Sequence, residues 1–563
     1  MIWKIAQPDP TRVRELARAL NISGILAALL LNRGLHATEP ARKFLDPQFS
    51  HLHDPFLMCD LELAVNRIRE AIDRRQKILI YGDYDVDGST AVVILRKALE
   101  MLGAECSYHI PERLVEGYGM KIPILEKAAR EGVRLVVTVD TGIKAYEAVE
   151  RARALNLDCV ITDHHLPENG LPNALAVVNP KRSDCPYPDK HLCGVGIAFK
   201  LVQALFAKTG NEKHLPAFLK VVAIGTIADV VPLIGENRVF AKLGLKGLQS
   251  PANPGLRSLI ETAGLEGRSI TGTDVGFRLA PRINAVGRMG GSREAVELFA
   301  ARDEGEARRL AGEMNRLNRE RQLIEEQILK AIERQIASDS DLAASRIKVI
   351  DGDHWHIGVL GIVASKIAER FQSPTLIISK IDRVASGSGR APEGFHLLQA
   401  LGSCRDLLDR FGGHAQAAGF QLHASKVSEL RRRINRYAAS AGDFEPGERR
   451  LNVDAEVRLS DLDDTVYRQI QRLSPFGKEN PAPLFVARQL TLIAEPRILK
   501  GRHLKFRVEQ DGRAMDALAW NMADRLPSIR ESGGLVSLAF ELSENLYPGF
   551  RALQLVVRDV RTA

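Results

Sequence analysis

The segment Lys77–Ala91 reads KILIYGDYDVDGSTA and contains the clearest indication of the fold. Its apolar run, Ile78 to Ile80, predicts a buried strand, and Gly88-Ser89-Thr90 predicts the start of a helix. Between them stand three carboxylates at alternate positions, Asp83, Asp85 and Asp87. Open α/β sheets bind ligands at the carboxyl ends of their strands, and adjacent carboxylates repel unless a cation lies between them. The pattern therefore predicts a divalent-cation site, with a solvated acidic turn as the alternative.

Two further segments repeat this arrangement. Arg134–Asp140, RLVVTVD, and Asp158–His165, DCVITDHH, each read as an apolar strand that ends in polar side chains. A single Asp before Thr-Gly is more often a helix cap, and a single His pair is more often a surface feature. Parallel neighbouring strands, however, bring all of these ends to one edge of one sheet. The sequence therefore predicts a cluster of carboxylates and imidazoles that includes Asp140, His164 and His165.

Asp229 lies in the otherwise apolar segment Ala223–Val231, AIGTIADVV. A buried carboxylate without a partner is costly, or its pKa shifts until the group is neutral. Asp229 therefore either accepts hydrogen bonds from backbone amides or joins the acids at the strand ends.

The composition is that of an ordinary globular protein with a basic excess. The chain has 563 residues and a net charge of +8, which predicts several domains and favours a nucleic-acid partner, although many housekeeping enzymes are equally basic. The six cysteines show no CxxC spacing, so reduced thiols in a cytoplasmic protein are expected. Met1–Pro10 does not read as a signal peptide, and the longest apolar stretch, Ile22–Leu31, is too short to span a bilayer. No membrane partner is expected.

The order DxDxDG, a strand-final Asp, DHH and an isolated Asp resembles the motif series of the DHH phosphoesterase superfamily. Over nearly its whole length the chain is similar to the RecJ family of single-strand-specific exonucleases within that superfamily. The resemblance implies an α/β fold with a parallel sheet. It also implies five regions: a helical N-terminal segment (1–50), a DHH catalytic domain (51–302), a connecting helix (303–338), a DHHA1 α/β domain (339–445) and a C-terminal β-barrel with the OB-fold (446–563).

Two glycine-rich segments mark the expected DHHA1 domain. Ala385–Pro392, ASGSGRAP, reads as a turn whose amides and arginine could bind phosphate oxygens. Phe411–Phe420, FGGHAQAAGF, reads as a tight Gly-Gly turn. In this order, after the DHH series, they resemble the domain that closes over the substrate opposite the metals. The substrate contacts implied here are Ser386, Ser388, Arg390, Gly413 and His414.

Between the two α/β regions, Glu304–Ser338 has a continuous helical pattern. In the family this helix bridges the two domains, and its arginines either line a DNA channel or form a solvated face.

From about residue 450 the pattern changes to short strands, which suggests a small barrel. Barrels of the OB type bind single strands by stacking bases on aromatic side chains. The aromatic candidates, for each of which core packing is the alternative, are Phe506, Trp520, Tyr547 and Phe550.

The resemblance implies two metal ions, Mn²⁺ or Mg²⁺, at the acidic cluster. The implied ligands are Asp83 and Asp85 for one ion, Asp87, His164 and Asp229 for the other, and Asp140 as the bridge between them. Which acid of the triplet binds which ion stays open. His165 would face the scissile phosphate as a hydrogen-bond donor or general acid.

The segment Phe277–Met289, FRLAPRINAVGRM, is close to a signature of the family. Arg282, Asn284 and Arg288 would contact phosphates near the metals, and Arg282 would take part in catalysis. Salt bridges to the acidic cluster are the alternative.

A separate pocket would bind the 5′ end of the strand. Pro111–Gly119, PERLVEGYG, matches the family segment that supplies an arginine to this pocket. The resemblance therefore implies that Arg113, Ser388 and Arg390 bind the 5′-phosphate.

The implied activity is hydrolysis of single-stranded DNA from 5′ to 3′ with release of 5′-mononucleotides, in DNA repair and recombination. A narrow entrance would exclude duplex DNA. One rival is a phosphodiesterase for short oligonucleotides or cyclic dinucleotides, which typically lacks the barrel. Another is a non-catalytic DNA-binding scaffold, in which the ligands would have decayed. The implied protein partners are a single-strand-binding protein and a RecQ-type helicase.

Overall fold

The structure, a computed structural model, describes residues 2–168, 170–440, 450–545 and 552–562. The chain begins with β1 (Ile2–Ile5), α1 (Pro10–Leu20), α2 (Gly24–Asn32) and α3 (Thr38–Leu45). The sequence predicted helices alone here, and the strand was missed because its partner lies at the other end of the chain. Within the described residues no single helix is long and apolar enough to cross a membrane, and only the pair α1 and α2, bent by 112°, passes that test together.

A five-stranded parallel sheet, in the order β3-β2-β4-β5-β6, is the centre of the next region. Its strands are β2 (Lys77–Tyr81), β3 (Cys106–His109), β4 (Val133–Thr138), β5 (Asp158–Thr162) and β6 (Ala176–Val178). Ile78 and Ile80 pack into one hydrophobic core, whereas Leu79 and Tyr81 pack into another on the opposite face. The strand is apolar on both faces because helices cover both faces of the sheet. The predicted parallel sheet is confirmed.

The helices of this region continue the numbering. They are α4 (Leu61–Asp73), α5 (Val86–Met101), α6 (Ile122–Arg130), α7 (Tyr146–Ala154), α8 (Gly194–Thr209), α9 (Leu215–Ala228), α10 (Gly235–Gly247), α11 (Pro254–Thr262), α12 (Gly272–Asp274), α13 (Ala280–Arg288) and α14 (Glu294–Ala300). A π-helical turn, Val275–Leu279, leads into α13.

The long helix α15 (Glu304–Ser338) connects two hydrophobic cores. Asp303 caps its first turn by accepting a hydrogen bond from the Glu306 amide. Leu310 and Met314, in its first half, pack with the helices that surround the parallel sheet, and Ile328 and Ile332, in its second half, pack with the domain that follows. The helix therefore belongs to both domains.

The second α/β domain has a five-stranded sheet in the order β10-β11-β9-β8-β7. Its elements are α16 (Ser340–Ala344), β7 (Lys348–Asp353), α17 (Ile357–Phe371), β8 (Thr375–Ile381), β9 (Val384–Arg390), α18 (Leu397–Gly402), β10 (Leu408–Gly413), β11 (Ala417–His423) and α19 (Val427–Ser440). The segment predicted as a glycine-rich turn is β9, the middle strand, and the predicted Gly-Gly turn is the end of β10. The first turn prediction was wrong, and the second placed the turn slightly too early, because Gly413 ends β10 and the hairpin turn to β11 follows it. A Cβ on Gly387 would lie 2.1 Å from the Phe420 ring, so this glycine makes room for a neighbouring side chain.

The C-terminal region is a closed barrel, as predicted. Its elements are β12 (Arg450–Val453), β13 (Ala455–Glu456), α20 (Asp464–Gln471), β14 (Phe485–Leu499), β15 (His503–Gln510), β16 (Arg513–Ala519), α21 (Leu526–Glu531), β17 (Leu535–Asn545) and β18 (Ala552–Thr562). Pairing of β14 with β17 closes the barrel. Strand β1 pairs in parallel with β12, and α1 to α3 pack into the barrel's core. The proposed division into five domains stays a prediction.

Candidate active site

The carboxyl edge of the parallel sheet gathers the acids that the sequence singled out. Asp83 follows β2, Asp140 follows β4, and Asp85 caps α5 by accepting a hydrogen bond from the Gly88 amide. One carboxylate oxygen from each of the three acids lies within 4.8 Å of the others. Among the described residues, the buried Oδ1 atoms of Asp83 and Asp140 have no hydrogen-bond partner. Asp83, Asp85 and Asp140 form the first group of candidate metal ligands.

A second group lies beside the first. Nε2 of His164, after β5, is 3.2 Å from Oδ1 of Asp140, 3.9 Å from Oδ2 of Asp87 and 3.8 Å from Oδ2 of Asp229. Asp229 directly follows α9, so the C-terminus of that helix supplies it. His164 and Asp140 thus connect this group to the first group.

Close backbone packing holds two of these acids in place. Asp140 has a φ of 61°, and a Cβ on Gly194 would lie 2.4 Å from its Cβ. The first amides of α8 donate to Asp87, from Gly194 at 2.5 Å and from Val195 at 2.8 Å. Only glycine at position 194 allows the start of α8 to approach both carboxylates so closely.

The electrostatics of the cluster are those of a cation site. Burial and the neighbouring carboxylates raise the pKa of Asp83 and of Asp140 well above the ordinary value, that of Asp87 to about 7 and that of Asp229 to about 9. Burial lowers the pKa of His164 to about 3, so its imidazole is neutral and has a free lone pair. Carboxylate oxygens and a neutral imidazole that converge without a donor between them suit Mg²⁺ or Mn²⁺.

His165 stands beside the cluster in a different state. Its Nδ1 is 2.7 Å from Oδ1 of the fully buried Asp163, which also accepts hydrogen bonds from the amides of Ile143, His164 and His165. Burial lowers the pKa of His165, but its hydrogen bond and charge interaction with Asp163 outweigh this effect, so the pKa is raised. The hydrogen bond to Asp163 thus engages Nδ1 of His165 and favours the protonated imidazole.

A cavity of about 430 Å³ lies in front of His165 and between the two α/β domains. Tyr118 and Lys144 line it from the first domain. His414, which follows the end of β10 at Gly413, lines it from the second domain. Gly413 has a φ of 144°, which only glycine adopts readily, and this conformation directs the turn toward the cavity. Gly413 and His414 thus lie beside the predicted catalytic centre.

A group of arginines lies on the Asp83 side of the cluster. The Arg113 guanidinium stacks 4.9 Å from the ring of Tyr84, and its charge acts to lower the pKa of Asp83. Burial, together with the charges of Arg113, Arg321 and Arg390, lowers the pKa of Arg288 to about 10. Such a concentration of like charges indicates a site for an anion.

The second domain adds a hydroxyl group to this set of arginines. The Arg390 guanidinium donates to the Ser388 hydroxyl, 3.3 Å away. A Cβ on Gly361, in the second turn of α17, would lie 3.1 Å from Arg390 and 3.2 Å from Ser388. We call Arg113, Arg288, Ser388 and Arg390 the arginine pocket.

Other predicted residues lie elsewhere. The Arg282 guanidinium donates to Oδ1 of Asn315 and to the carbonyls of Arg278 and Thr262, so its contacts point away from the metal ligands and do not favour the predicted catalytic role. Asn284 lies on α13 one turn before Arg288. Ser386 shares a strand face with Ser388, but no described contact connects it to the cluster.

The aromatic candidates of the barrel also differ. Phe506 is buried in the core, whereas Trp520 is half exposed and packs edge-on against His503 with ring centroids 4.7 Å apart. Tyr547 and Phe550 lie outside the described residues. Trp520 is therefore the candidate with a surface to offer to a base.

Sequence reasoning gave no role to Asp163 and Tyr118, which the structure brings to the site, and left Arg321 as one of several helix arginines that either line a DNA channel or form a solvated face. Asp163 opens the quoted DHH triplet, and its role was overlooked because the two histidines drew attention. Tyr118 lies in the segment quoted for Arg113, and its hydroxyl is 3.4 Å from Nδ1 of His165. Arg321 lies on α15, where its charge reaches Arg288. For Arg321 the helical pattern gave no signal that separates it from its solvated neighbours.

Comparisons with known proteins cover all three described domains. Family models match for the N-terminal domain of the DHH family at residues 77–226, for the DHHA1 domain at 339–440 and for the RecJ OB domain at 453–559. Two relatives named single-stranded-DNA-specific exonuclease RecJ are similar over most of their length. The one from Bacillus subtilis is 38% identical across 99% of this chain and 70% of its own length. The one from Escherichia coli is 33% identical across 89% of this chain and 90% of its own.

Solved structures give the same result. RecJ from Thermus thermophilus in complex with Mn²⁺ matches with a TM-score of 0.86 and 31% identity, over 100% of this chain and 80% of that one. Its complex with Mg²⁺ matches with a TM-score of 0.80 and 30% identity, over 100% of this chain and 78% of that one.

Proposed function

The chain belongs to the RecJ family of single-stranded-DNA-specific exonucleases, and we propose that it hydrolyses single-stranded DNA from the 5′ end and releases 5′-mononucleotides. The observation that carries this proposal is the pair of adjacent ligand groups at the carboxyl edge of the parallel sheet. The activity is metal-dependent, with Mn²⁺ or Mg²⁺ as the ion.

We propose that one metal is held by Asp83 and Asp85, the other by Asp87, His164 and Asp229, and that Asp140 reaches both. Bound there, the two ions supply Lewis-acid stabilisation of the phosphate charge and lower the pKa of water. The amides of α8 fix Asp87, and Gly194 fixes Asp140. The protein thus holds the ligand oxygens in place before the substrate binds.

His165 acts on the scissile phosphate in this proposal. Asp163 holds its Nδ1 and keeps the imidazole protonated, so Nε2 donates a hydrogen bond to a phosphate oxygen or a proton to the leaving oxygen. The buried Asp163 carboxylate thus orients the His165 ring and favours its protonated form.

We propose that the arginine pocket binds the 5′-phosphate of the strand. Arg113 and Arg288 approach from the first domain, and Ser388 and Arg390 approach from the second. Anchoring the 5′ end there places the first phosphodiester at the metals, which gives the reaction its direction. Binding between two domains also favours a single flexible strand over a duplex.

The activity belongs to DNA repair and recombination in this proposal. A single-strand-binding protein and a RecQ-type helicase remain expected partners, and a cytoplasmic location remains a prediction. Trp520 on the barrel is a candidate platform for bases further along the strand.

The test uses a 5′-phosphorylated single strand labelled at either end, with Mn²⁺, Mg²⁺ or EDTA. The expected result is immediate release of a labelled mononucleotide from the 5′ end, absent in EDTA and in Asp140→Ala. A matched duplex should resist. Survival of long strands with cleavage of dinucleotides alone would instead support a small-substrate phosphodiesterase.

A second arm tests the arginine pocket. Arg113→Ala and Arg390→Ala should lose the preference for a 5′-phosphate over a 5′-hydroxyl substrate, because each removes one charge-assisted contact. Arg316→Ala, on the exposed face of α15, is the matched arginine control and should keep that preference. If all three variants kept the same preference for a 5′-phosphate, the assignment of the arginine pocket to the 5′-phosphate would be contradicted.

A further inference from the structure

Lys181 lies in the turn that follows β6, the last strand of the parallel sheet along the chain, and has no role in the proposed function. After β6 the chain turns at Asn179, whose buried side chain donates to the His165 carbonyl and accepts from the Lys181 amide. The His165 carbonyl of the DHH motif is thereby tied to the turn that carries Lys181. Because β6 lies next to β5, this turn places Lys181 at the same edge of the sheet as the metal ligands.

A second lysine reaches the same place from the barrel region. A tight turn in which Gly477 and Asn480 exchange backbone hydrogen bonds has Lys478 near its tip. The Leu233 amide donates to the Lys478 carbonyl at 2.9 Å, and Leu233 is only four residues after Asp229. A Cβ on Gly477 would lie 2.7 Å from the Leu233 side chain, so the turn packs directly on the segment that follows Asp229.

Cations from the first domain hold the base of this turn. Arg238 and Lys242, on α10, both donate to the carbonyls of Arg472 and Ser474. Arg238 is almost completely buried, so this contact is part of the folded core. The position of Lys478 is therefore set by the structure of the chain around it, even though its side chain is exposed.

The two lysines bring positive charge to each other and to Asp229. Both act to lower the pKa of Asp229, and Lys478 acts to lower the pKa of Lys181. Within the described part of the chain, neither ammonium group forms a close ion pair with a carboxylate. Two ammonium groups that lie near Asp229 without a close ion pair can bind a further anion.

The charge balance of the centre supports an anionic ligand. The five ligand carboxylates and two divalent cations would together carry one net negative charge, which the two lysines would offset. A phosphodiester, with one negative charge, would then be attracted rather than repelled.

The lysines and the arginine pocket lie on different sides of the ligand groups. The charge of Arg113 acts to lower the pKa of Asp83, in the first ligand group. The charges of Lys181 and Lys478 act to lower the pKa of Asp229, in the second ligand group. A strand anchored by its 5′-phosphate in the arginine pocket would pass the metals and continue toward the lysines.

We propose that Lys181 and Lys478 bind the phosphate that follows the scissile phosphate on its 3′ side. This inference rests on the proposed function and adds a subsite for the strand that remains after cleavage. It also makes the barrel region a direct contributor to the active site, through Lys478. The ligand chemistry is a single phosphodiester group of DNA.

The alternative is that both lysines only balance the charge of Asp229. In that case they would act on every substrate equally, including one that has no phosphate beyond the scissile one. A 5′-phosphorylated dinucleotide is such a substrate, whereas a trinucleotide has one further phosphate.

The experiment compares these two substrates in wild type, Lys181→Ala, Lys478→Ala and the double variant. Each variant loses one charge-assisted contact that is partly exposed to solvent, so each should lose about 5- to 30-fold in kcat/KM on the trinucleotide. On the dinucleotide the loss should be less than about twofold. The salt dependence on longer strands should fall by about 0.7 per lysine in the log–log slope.

A modified substrate sharpens the comparison. A trinucleotide with an uncharged methylphosphonate at the second linkage should reduce wild-type kcat/KM to the level of the double variant, and the variants should lose nothing more. Lys181→Arg and Lys478→Arg should restore most of the activity. Lys97→Ala, on the exposed C-terminal half of α5, is the matched control and should behave as wild type.

Two outcomes would overturn the proposal. If kcat/KM fell equally on the dinucleotide and the trinucleotide, the lysines would act only on the charge of the metal ligands or on folding. If the double variant had wild-type kinetics, the lysines would have no role in catalysis or binding. Failure of the proposed function itself would look different, because wild type would then cleave neither substrate or would cleave the dinucleotide alone.

Discussion

His165 depends on the residue two positions before it. Asp163 is completely buried and accepts four hydrogen bonds, three of them from backbone amides, so its carboxylate stays ionised with a lowered pKa despite its burial. That fixed negative charge holds the imidazole through Nδ1 and raises its pKa. The charge state of one side chain at the edge of the site is therefore influenced by a buried neighbour.

The first prediction concerns Asp163→Asn. The amide keeps an acceptor oxygen for the backbone but removes the charge, so the pKa of His165 should fall. The alkaline limb of the kcat profile should move to lower pH, and kcat at pH 8 should drop about 100-fold if His165 is the general acid. Metal affinity, measured by calorimetry, should change little. An unchanged pH profile would exclude this role for the pair.

The second prediction concerns metal binding and pH. Burial raises the pKa of Asp87 to about 7 and that of Asp229 to about 9 in the metal-free protein. A carboxyl group with a raised pKa binds more protons when folded, so its stabilising effect is present below about pH 4 and is lost as pH rises through the folded-state pKa. The metal-free protein should therefore lose stability between pH 5 and pH 9.

Because metal binds the deprotonated carboxylates, the increase in Tm on adding Mg²⁺ should be larger at pH 9 than at pH 6. Thermal unfolding with and without Mg²⁺ measures this difference. The Asp140→Asn variant should show a smaller increase at both values. A pH-independent increase would mean that the ion binds elsewhere.

At this scale the sequence predicted the cluster well, because motif spacing and strand ends place Asp87, Asp140 and His164 together. It did not predict the direction of Arg282, which depends on Asn315 and on the carbonyls of Arg278 and Thr262. Side-chain direction is a tertiary property that a local pattern does not carry.

At the scale of elements, strand β9 shows why glycine-rich sequence is ambiguous. The small residues of ASGSGRAP would suit a turn, but here they allow a ring from β11 and leucines from neighbouring elements to pack on the strand. The difference depends on Phe420, Leu376 and Leu397, none of which lies in the segment. The prediction correctly noted the small residues but assigned them to a turn, whereas they allow neighbouring side chains to pack closely on a strand.

The third prediction compares two glycines on paired strands. Alanine at Gly387 would place its Cβ against the Phe420 ring, so Gly387→Ala should destabilise the protein by about 1–3 kcal/mol. Gly419, on β11, has nothing within 4 Å of an added Cβ, so Gly419→Ala should be neutral or slightly stabilising. Urea unfolding of the two variants measures the difference. Equal effects would contradict the packing argument.

At the scale of the whole molecule, Arg238 joins three regions. Its guanidinium stacks 3.8 Å from the Phe44 ring, and its Nε donates to the Phe44 carbonyl at 2.6 Å. Other nitrogens donate to the carbonyls of Arg472 and Ser474. One buried cation on α10 thus contacts both the N-terminal helices and the turn before Lys478.

The fourth prediction is that Arg238→Met loosens this junction. The substitution leaves the Phe44 carbonyl without this donor and leaves Lys242 as the remaining cationic donor to the Arg472 and Ser474 carbonyls, which should lower the free energy of unfolding by about 1–3 kcal/mol. Hydrogen exchange should rise in residues 472–480. Arg316→Met, on the exposed face of α15, is the control and should leave both quantities unchanged. Unchanged exchange in 472–480 would show that the junction does not depend on Arg238.

The pairing of the N-terminal region with the C-terminal barrel has a consequence for folding during synthesis on the ribosome. The Ser23 amide bonds to Gln469, 446 residues later, and β1 has no partner until β12 emerges. At a synthesis rate of about 5–20 residues per second, the ribosome needs on the order of 20–90 s to reach residue 450. Until then the first helices lack the barrel residues that complete their hydrophobic core. Their apolar faces stay open throughout that interval. Synthesis from the N-terminus therefore does not complete the N-terminal region first, and nascent chains stalled before residue 450 should remain sensitive to protease between residues 10 and 45.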